Sequence, residues 1–403
     1  MKWGTIRFGD LYSTESRNGL TKPSKIRGSG YKMINMGELF ANDRIYDIPM
    51  ELAPLKDTEK INAKIEIGDL LFARQSLVLE GAGKCSIVME VSPLTVFESH
   101  LIRVRLDRKR ALPMFYYYYF KSPLSPMASI VSQCAQAGIR GSDLQELNVI
   151  FPPLYIQNEI AQILSYYDDL IENNQKQIKL LEEAAQRLYK EWFVDLRFPG
   201  HETTPIVDGV PEGWEVCKFS EIASIMSGGT PKTEVKAYYE GDIPFYTPKD
   251  SDGSFFAIDT ITHISEAGLE HCNSQYYPEG TVIITARGTV GKTTILAVPM
   301  AMNQSCYALK CDELNSPYYL FFALNKEVDS LKTMANGGVF NTIIAKTFDS
   351  ISLTIPTQEV LSAFNEMVSS IMEQIKAKMK QNIYLAEARD RLLPKLMSGE
   401  MEV

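Results

Sequence analysis

Along two stretches of the chain, residues recur at alternating steps of four and three. The first runs Ile160, Leu164, Tyr167, Ile171, Asn174, Ile178, Leu181, Ala185, Leu188 and Trp192. The second runs Phe364, Val368, Ile371, Ile375, Lys378, Asn382, Leu385, Arg389, Leu392 and Leu396. Such spacing puts every member on one side of an α-helix, so each stretch predicts a long helix with an apolar seam interrupted by polar residues. Pro152-Pro153 precedes the first helix and Pro199-Gly200 follows it, as residues that break a helix do at its ends. About 35 residues at 1.5 Å each make a rod of about 50 Å. Neither rod can bury its seam alone, so the two are expected to pack on each other, antiparallel if the halves are related by a pseudo-twofold axis.

The two stretches belong to a longer repeat. A shift of 204 lays Leu181-Glu182-Glu183-Ala184-Ala185-Gln186-Arg187-Leu188 on Leu385-Ala386-Glu387-Ala388-Arg389-Asp390-Arg391-Leu392, and ten of 37 positions between Pro152 and Leu188 are identical without a gap. The same shift lays Pro113-Met114-Phe115-Tyr116-Tyr117 on Pro317-Tyr318-Tyr319-Leu320-Phe321. Ala73-Arg74 matches Ala286-Arg287 at a shift of 213, and Gly83-Lys84 matches Gly291-Lys292 at 208. The drift means loops of unequal length inside the repeats. Within each globular part, short β-rich runs such as Thr281-Val282-Ile283-Ile284-Thr285 and Ile34-Asn35-Met36 lie between Gly, Pro, Asn and Asp turns, which predicts a mixed α/β (α+β) fold. The expected division is a globular domain over 1–152, a long helix over 153–200, a second globular domain over 201–355 and a second long helix over 356–403.

Composition narrows the function classes. At 403 residues with 45% hydrophobic and 23% charged positions, the chain is that of a folded protein of two or three domains. Its apolar runs, such as Met114 to Phe120, are far too short to span a bilayer, and Met1 to Arg7 carries no apolar signal core. Cys85, Cys134, Cys217, Cys272, Cys306 and Cys311 form no Cys-x-x-Cys pair, which points to reduced thiols and a cytoplasmic location. The net charge of −9 hides an asymmetry, because residues 1–150 hold 20 Lys and Arg against 16 Asp and Glu, while 201–350 hold 10 against 19. Polyanion binding follows local surface rather than the total, so the charge alone is neutral towards DNA.

Motifs for catalysis fail one by one. Gly288-Thr289-Val290-Gly291-Lys292-Thr293 resembles a phosphate loop, but Ala286 stands where its first glycine belongs, and the β-like Thr294-Ile295-Leu296-Ala297-Val298 follows instead of a helix. A strand-turn-strand with a basic tip is the better reading. His100, His201, His263 and His271 show no metal-ligand spacing, and the adjacent His271-Cys272 is poor geometry for one tetrahedral ion. Glu234-Val235-Lys236 is a lone triplet of a kind common by chance. No catalytic residue and no metal site is assigned.

In combination, other words are specific. They include Leu188-Tyr189-Lys190-Glu191-Trp192-Phe193-Val194-Asp195-Leu196-Arg197-Phe198-Pro199-Gly200-His201-Glu202, and Gln157-Asn158-Glu159-Ile160-Ala161 after Pro152-Pro153. The second half adds Pro211-Glu212-Gly213-Trp214, Ser227-Gly228-Gly229-Thr230-Pro231, Arg287-Gly288-Thr289-Val290-Gly291 and Asn303-Gln304. With the duplicated plan, these make the chain resemble the specificity subunit of type I restriction–modification enzymes over nearly its whole length. The first domain departs most, with Gly19-Leu20-Thr21-Lys22-Pro23 where Gly-Gly-Thr-Pro is usual, and Ala73-Arg74-Gln75 without the glycine that follows Arg287.

The resemblance implies two target-recognition domains, each reading half of a bipartite site in double-stranded DNA, and helices that act as spacer and docking surface for two methyltransferase subunits. Those partners would carry S-adenosylmethionine and methylate adenine N6. A motor-nuclease subunit using ATP and Mg2+ could join for cleavage in phage defence, and this chain would bind no cofactor itself. On this reading Gly228 and Gly229 allow close backbone approach to DNA, Thr230 and Lys232 donate, and Arg287 beside Gly288 offers a fork to guanine. Lys292 would meet phosphate, and Asn303 and Gln304 would suit adenine. The first-domain counterparts are Lys22, Lys25, Arg74, Gln75, Lys84 and Arg140. The rival from another class is a free-standing sequence-specific DNA-binding or adaptor protein without a methyltransferase. An ATPase using the Gly291-Lys292-Thr293 loop and a purely structural coiled coil fit less well.

Overall fold

The computed structural model describes residues 3–133, 137–311, 314, 316–334 and 342–403, which leaves Cys134 outside the described residues. Two compact units divide the chain, Met1–Ile171 with Tyr384–Val403 and Glu172–Ile383. The division falls inside both long helices rather than at their ends.

The first unit is built on a five-stranded sheet in the order Tyr12–Asn18, Leu101–Leu106, Leu70–Ala73, Cys85–Val88 and Arg44–Ile45. Neighbours are antiparallel except the last pair, which is parallel. The central strand shows why an unbroken apolar run forms here. Leu70 and Phe72 enter one core with the helix Pro113–Lys121, while Leu71 and Ala73 enter another with Met33, Ile34 and Phe97. Successive side chains point to opposite faces, and both faces are covered. Pro113 opens that helix, where its missing N–H costs nothing, and Phe115 to Phe120 are all buried. The Tyr116 hydroxyl donates to Ile150 O at 3.0 Å, so it is not left unpaired.

The second unit repeats the plan strand for strand. Its sheet runs Ser224–Ser227, Cys306–Lys310, Val282–Thr285, Thr293–Leu296 and Phe256–Ala257, again with only the last pair parallel. Each unit also has a three-stranded sheet with one antiparallel and one parallel pairing, centred on Tyr31–Ile34 in the first and Ile243–Tyr246 in the second. The helix Pro317–Met334 stands where Pro113–Lys121 stands in the first unit. The fold is mixed α/β with one plan used twice, as the sequence pattern indicates.

The long helices are Leu154–Tyr189 and Gln358–Ser398. In the first unit, Ile156, Ile160 and Leu164 share a core with Leu393, Leu396 and Met397, and Arg389 donates to Asp168. In the second, the Asn174 amide donates to Gln381 Oε1 at 3.0 Å and Asn382 Oδ1 at 2.9 Å, while Tyr189 and Trp192 lie 6.3 and 6.0 Å from Phe364. Partners rise in number on one helix as they fall on the other, so within each unit the packing is antiparallel.

The seam holds in outline and slips in detail. Ile160, Leu164, Trp192, Phe364, Val368, Ile375 and Leu396 are buried, Trp192 in a π-helical turn after the first helix. Tyr167, Ile171, Ile178, Leu181, Leu188, Ile371, Leu385 and Leu392 are only half-buried. Asp168, Met372 and Leu393 take the fully buried places beside Tyr167, Ile371 and Leu392. A helix of 3.6 residues per turn drifts about 20° per heptad from a strict seven-residue repeat, which moves the buried line by one position.

Candidate nucleic-acid interface

Four backbone hydrogen bonds build the same turn in both units. In the second unit Gly291 N donates to Thr285 O (2.8 Å), Thr285 N to Lys292 O (2.8 Å), Ala286 N to Ser305 O (2.7 Å) and Ile343 N to Ala286 O (3.0 Å). In the first, Gly83 N donates to Ala73 O (2.8 Å), Ala73 N to Lys84 O (2.9 Å), Arg74 N to His100 O (2.8 Å) and Ile139 N to Arg74 O (3.0 Å). Ala73 therefore corresponds to Thr285, Arg74 to Ala286, Gln75 to Arg287 and Lys84 to Lys292. This corrects the pairing of Arg74 with Arg287. Nine residues lie between Ala73 and Gly83 but five between Thr285 and Gly291, and identity alone places the gap one residue off.

In the second unit the turn sits between Val282–Thr285 and Thr293–Leu296, so Gly288-to-Lys292 is a strand-turn-strand. Gly288 and Gly291 have φ of +78° and +76°, a backbone region that L side chains rarely adopt. The Thr285 hydroxyl donates to Thr289 O and accepts from Lys292 N at 3.0 Å, which fixes the turn from within. Arg287 and Lys292 are left exposed, with no side-chain partner among the described residues.

Gly228, Gly229 and Thr230 meet Asn303 and Gln304 on the adjoining segment. Gly229 N donates to Met302 O at 3.1 Å, and the Thr230 hydroxyl donates to Gln304 Oε1. A Cβ at Gly228 would collide with Met302 O and Asn303 O, and one at Gly229 with the Asn273 backbone. Both glycines are thus required by the chain's own close approach, which accounts for them without DNA. Gly19 occupies the same place in the first unit, against Phe97 O and Glu98 O. Asn303 Oδ1 accepts from Ser305 N at 3.0 Å, which leaves its amide nitrogen turned away from that turn. Lys232 is exposed on the loop that follows.

First-unit candidates separate into available and committed. Lys25 and Arg140 are exposed. Lys22 is not available: it is 8% exposed and bonded to Glu59 at 2.7 Å. Arg74 is half-buried and donates to Ser99 O at 3.4 Å; its equivalent in the second unit, Ala286, is buried. Lys84 donates to Phe40 O at 2.8 Å and pairs with Asp43 at 3.2 Å. Burial disfavours charge on Asp43, but Lys121 and Lys84 outweigh it and hold the carboxyl below its usual range. Gln75 Oε1 accepts from His100 Nδ1 at 2.8 Å, a pairing invisible in the sequence because the two lie 25 positions apart. Sequence reasoning also passes over Leu77, Val78 and Leu79, which are 89%, 59% and 46% exposed on the longer first-unit turn. The four extra residues between Ala73 and Gly83 are the one signal that could have found them.

The residues considered for a metal serve the fold. His271 Nδ1 donates to Ala267 O at 2.8 Å and its ring stacks on Tyr238, while the Cys272 thiol donates to Leu269 O. Among the described residues no group of three or more His, Cys, Asp or Glu could hold an ion, and no helix is long and apolar enough to cross a membrane.

Comparison with known proteins agrees with this duplicated geometry. The family model for the type I restriction modification DNA specificity domain matches residues 1–183 and again 211–383. The type I restriction enzyme MjaIX specificity subunit of Methanocaldococcus jannaschii is 29% identical over 421 residues, covering 100% of this chain and 94% of the relative. The HindI specificity subunit of Haemophilus influenzae is 23% identical, covering 91% of this chain and 94% of its own. A crystal structure of the type I restriction–modification S subunit from M. genitalium shares the fold with a TM-score of 0.58 at 16% identity, over 98% of this chain and 96% of that one. The chain belongs to the type I restriction–modification DNA specificity family.

Proposed function

We propose that this chain is the recognition subunit of a complex in which residues 1–152 and 201–355 each read one half of a bipartite site in double-stranded DNA. The helical segments 153–200 and 356–403 set the spacing of the half-sites and dock two methyltransferase subunits. Those partners supply S-adenosylmethionine and the transfer to adenine N6, and a motor-nuclease subunit supplies ATP- and Mg2+-dependent cleavage of unmodified DNA. The observation that carries the reading is the turn built twice by the same four backbone bonds but bearing different side chains, Gln75 in one unit and Arg287 in the other. Equal scaffolds with unequal tips suit two readers of unequal sequences.

Arg287 is suited to guanine O6 and N7, because its exposed fork is not spent on any described neighbour. Lys292 and Lys232, both exposed, would meet phosphate, which positions without specifying. Partner surface would supply the rest of the phosphate-neutralising charge that a chain of net −9 lacks. A protein partner is also supported by apolar groups left outside the seam, with Tyr155, Tyr166 and Leu170 exposed in the first unit and Leu180 in the second. The test is an exchange of residues 201–355 for the equivalent stretch of a relative, read by mapping methylated adenines in cells that carry the partner. One half of the methylated sequence should change and the other persist. Change in both halves, or methyl transfer by the purified single chain, overturns the proposal.

A further inference from the structure

We infer that the long turn of the first unit reads an A·T base pair in the major groove, with Leu77 and Val78 against the thymine methyl group and Gln75 on the adenine edge. The inference rests on the recognition role proposed above. It begins from the register of the two turns. Gln75 stands where Arg287 stands, on a turn closed by the same bond from glycine to the preceding strand. A guanidinium fork matches the two acceptors of guanine, whereas a carboxamide matches the acceptor and donor of adenine. The tips therefore differ in the base they suit, not only in shape.

His100 orients that amide. Its Nδ1 hydrogen bond, 2.8 Å long, holds Gln75 Oε1, so Nε2 is the group left to donate, and Oε1 keeps a second lone pair. Adenine N7 takes such a donor, and adenine N6–H supplies one to the oxygen. Four added residues then carry the chain past Gln75 as Ser76-Leu77-Val78-Leu79. Leu77 is 89% exposed and Val78 59%, side by side, and Leu77 is the most exposed large hydrophobic side chain among the described residues. A cavity of about 370 Å³ lies beside them, lined by Met36, Phe40, Gln75, Ser76, Leu77 and His100. One apolar rim next to one oriented amide is the chemistry of thymine C5-methyl next to adenine N7 and N6. DNA is the occupant because the same place in the second unit carries the exposed Arg287, and because the exposed Arg140 lies on a segment joined directly to this turn.

The test uses the full-length chain co-purified with its methyltransferase and a pool of randomised duplexes. The wild-type complex should enrich a two-part sequence with a fixed A·T pair in one part. Replacing that thymine by deoxyuridine, which lacks only the methyl group, should weaken wild-type binding about fourfold, the value of one buried methyl. The double variant Leu77→Ser with Val78→Ser should bind the thymine and deoxyuridine duplexes equally, keep the adenine preference that Gln75 supplies, and keep the other part of the sequence. Leu77→Met, which keeps an apolar side chain at that position, should keep the discrimination. A double variant that still binds the thymine duplex about fourfold tighter than the deoxyuridine duplex overturns the inference alone. So does a double variant that keeps its DNA preference but no longer co-purifies with the methyltransferase. A wild-type complex that enriches no sequence overturns the recognition role and this inference with it.

Discussion

Replacing Arg389 by methionine probes how the helix pair of the first unit is held in register. Asp168 exposes 8% of its side chain and Arg389 19%. The carboxylate accepts from Arg389 and, at 2.6 Å, from the Tyr118 hydroxyl. Burial works against charge on Arg389, but its bonds to Asp168 and Asp390 prevail and raise its guanidinium above the usual range. Without the cation, Asp168 is a carboxylate in a poorly hydrated place with one donor left. Removing one partner of a buried pair costs about 3–5 kcal/mol, and the partial exposure of Arg389 lowers the expectation to about 2–3 kcal/mol. Asp168→Asn combined with Arg389→Met removes both charges and keeps an acceptor for Tyr118, so it should cost about 1 kcal/mol.

Two compact units make a single global unfolding transition a poor measure, so native-state hydrogen exchange is the assay. Amides in residues 160–171 and 385–397 should exchange about 30- to 150-fold faster in the single variant, and less than about tenfold faster in the double variant. Residues 174 and 381–382, bonded to each other in the second unit, provide the internal comparison and should barely change. A single variant that speeds exchange less than about fivefold, or a double variant no milder than the single, refutes the reasoning.

Other expectations follow from the same geometry. Arg287→Ala should cost about 1–3 kcal/mol on the cognate duplex and relax one guanine position, whereas Lys292→Ala should weaken all duplexes alike and lower the salt slope by about 1, both read by salt titration of binding. Four residues inserted at equivalent points of both long helices add about 6 Å of helix and should lengthen the unspecific spacer of the methylated sequence by one or two base pairs; an unchanged spacer removes the ruler role. Glu182 lies beside Asp252 in a cavity of about 570 Å³, where burial and that neighbour raise its carboxyl above the usual range despite a bond from Phe255 N. The native state then holds this proton more tightly than the unfolded chain. Ionised Glu182 therefore costs stability in full above its folded pKa, and the cost shrinks as pH falls from there to the unfolded value of about 4.3 and is gone below it. Relative to wild type at the same pH, Glu182→Gln should slow hydrogen exchange of the amides around it at pH 7 and not at pH 3.5; an equal gain at both would show that charge is not the cause.

The repeat and the helices are readable in the sequence because both rest on periodicity, which burial enforces residue by residue. Leu181 and Leu385 can be matched without a gap since an insertion there would rotate the seam off its partner. The interface is less readable because its geometry is set by contacts remote in the chain. Nothing near Lys22 announces that Glu59 will take it, and only the bond from Arg74 N to His100 O reveals that Arg74 faces inward while Gln75 faces the tip. Gly228 and Gly229 look like a place for ligand approach, yet the backbone that approaches them is Met302, Asn303 and Asn273. A glycine says that something comes close; it does not say what.

The way the turns are built bears on how such a protein can change what it reads. The bonds that close them run from backbone to backbone: Gly83 to Ala73, Gly291 to Thr285, Ala73 to Lys84 and Thr285 to Lys292. Backbone groups are present whatever the side chain, so the turn persists when the residue at its tip is exchanged. The tip side chains are correspondingly light in stabilising contacts. Arg287 and Leu77 are exposed, and Gln75 is held by one hydrogen bond to His100. Exposed positions away from special backbone geometry tolerate substitution within about 0.5 kcal/mol, while a base contact at the same position is worth about 1–3 kcal/mol of discrimination. On the recognition role proposed above, specificity at these tips can thus be rewritten at little cost to the fold. The reverse holds at Gly19 and Gly228, where any Cβ meets a carbonyl oxygen, and at Asp168 with Arg389, where a change in one partner strands the other.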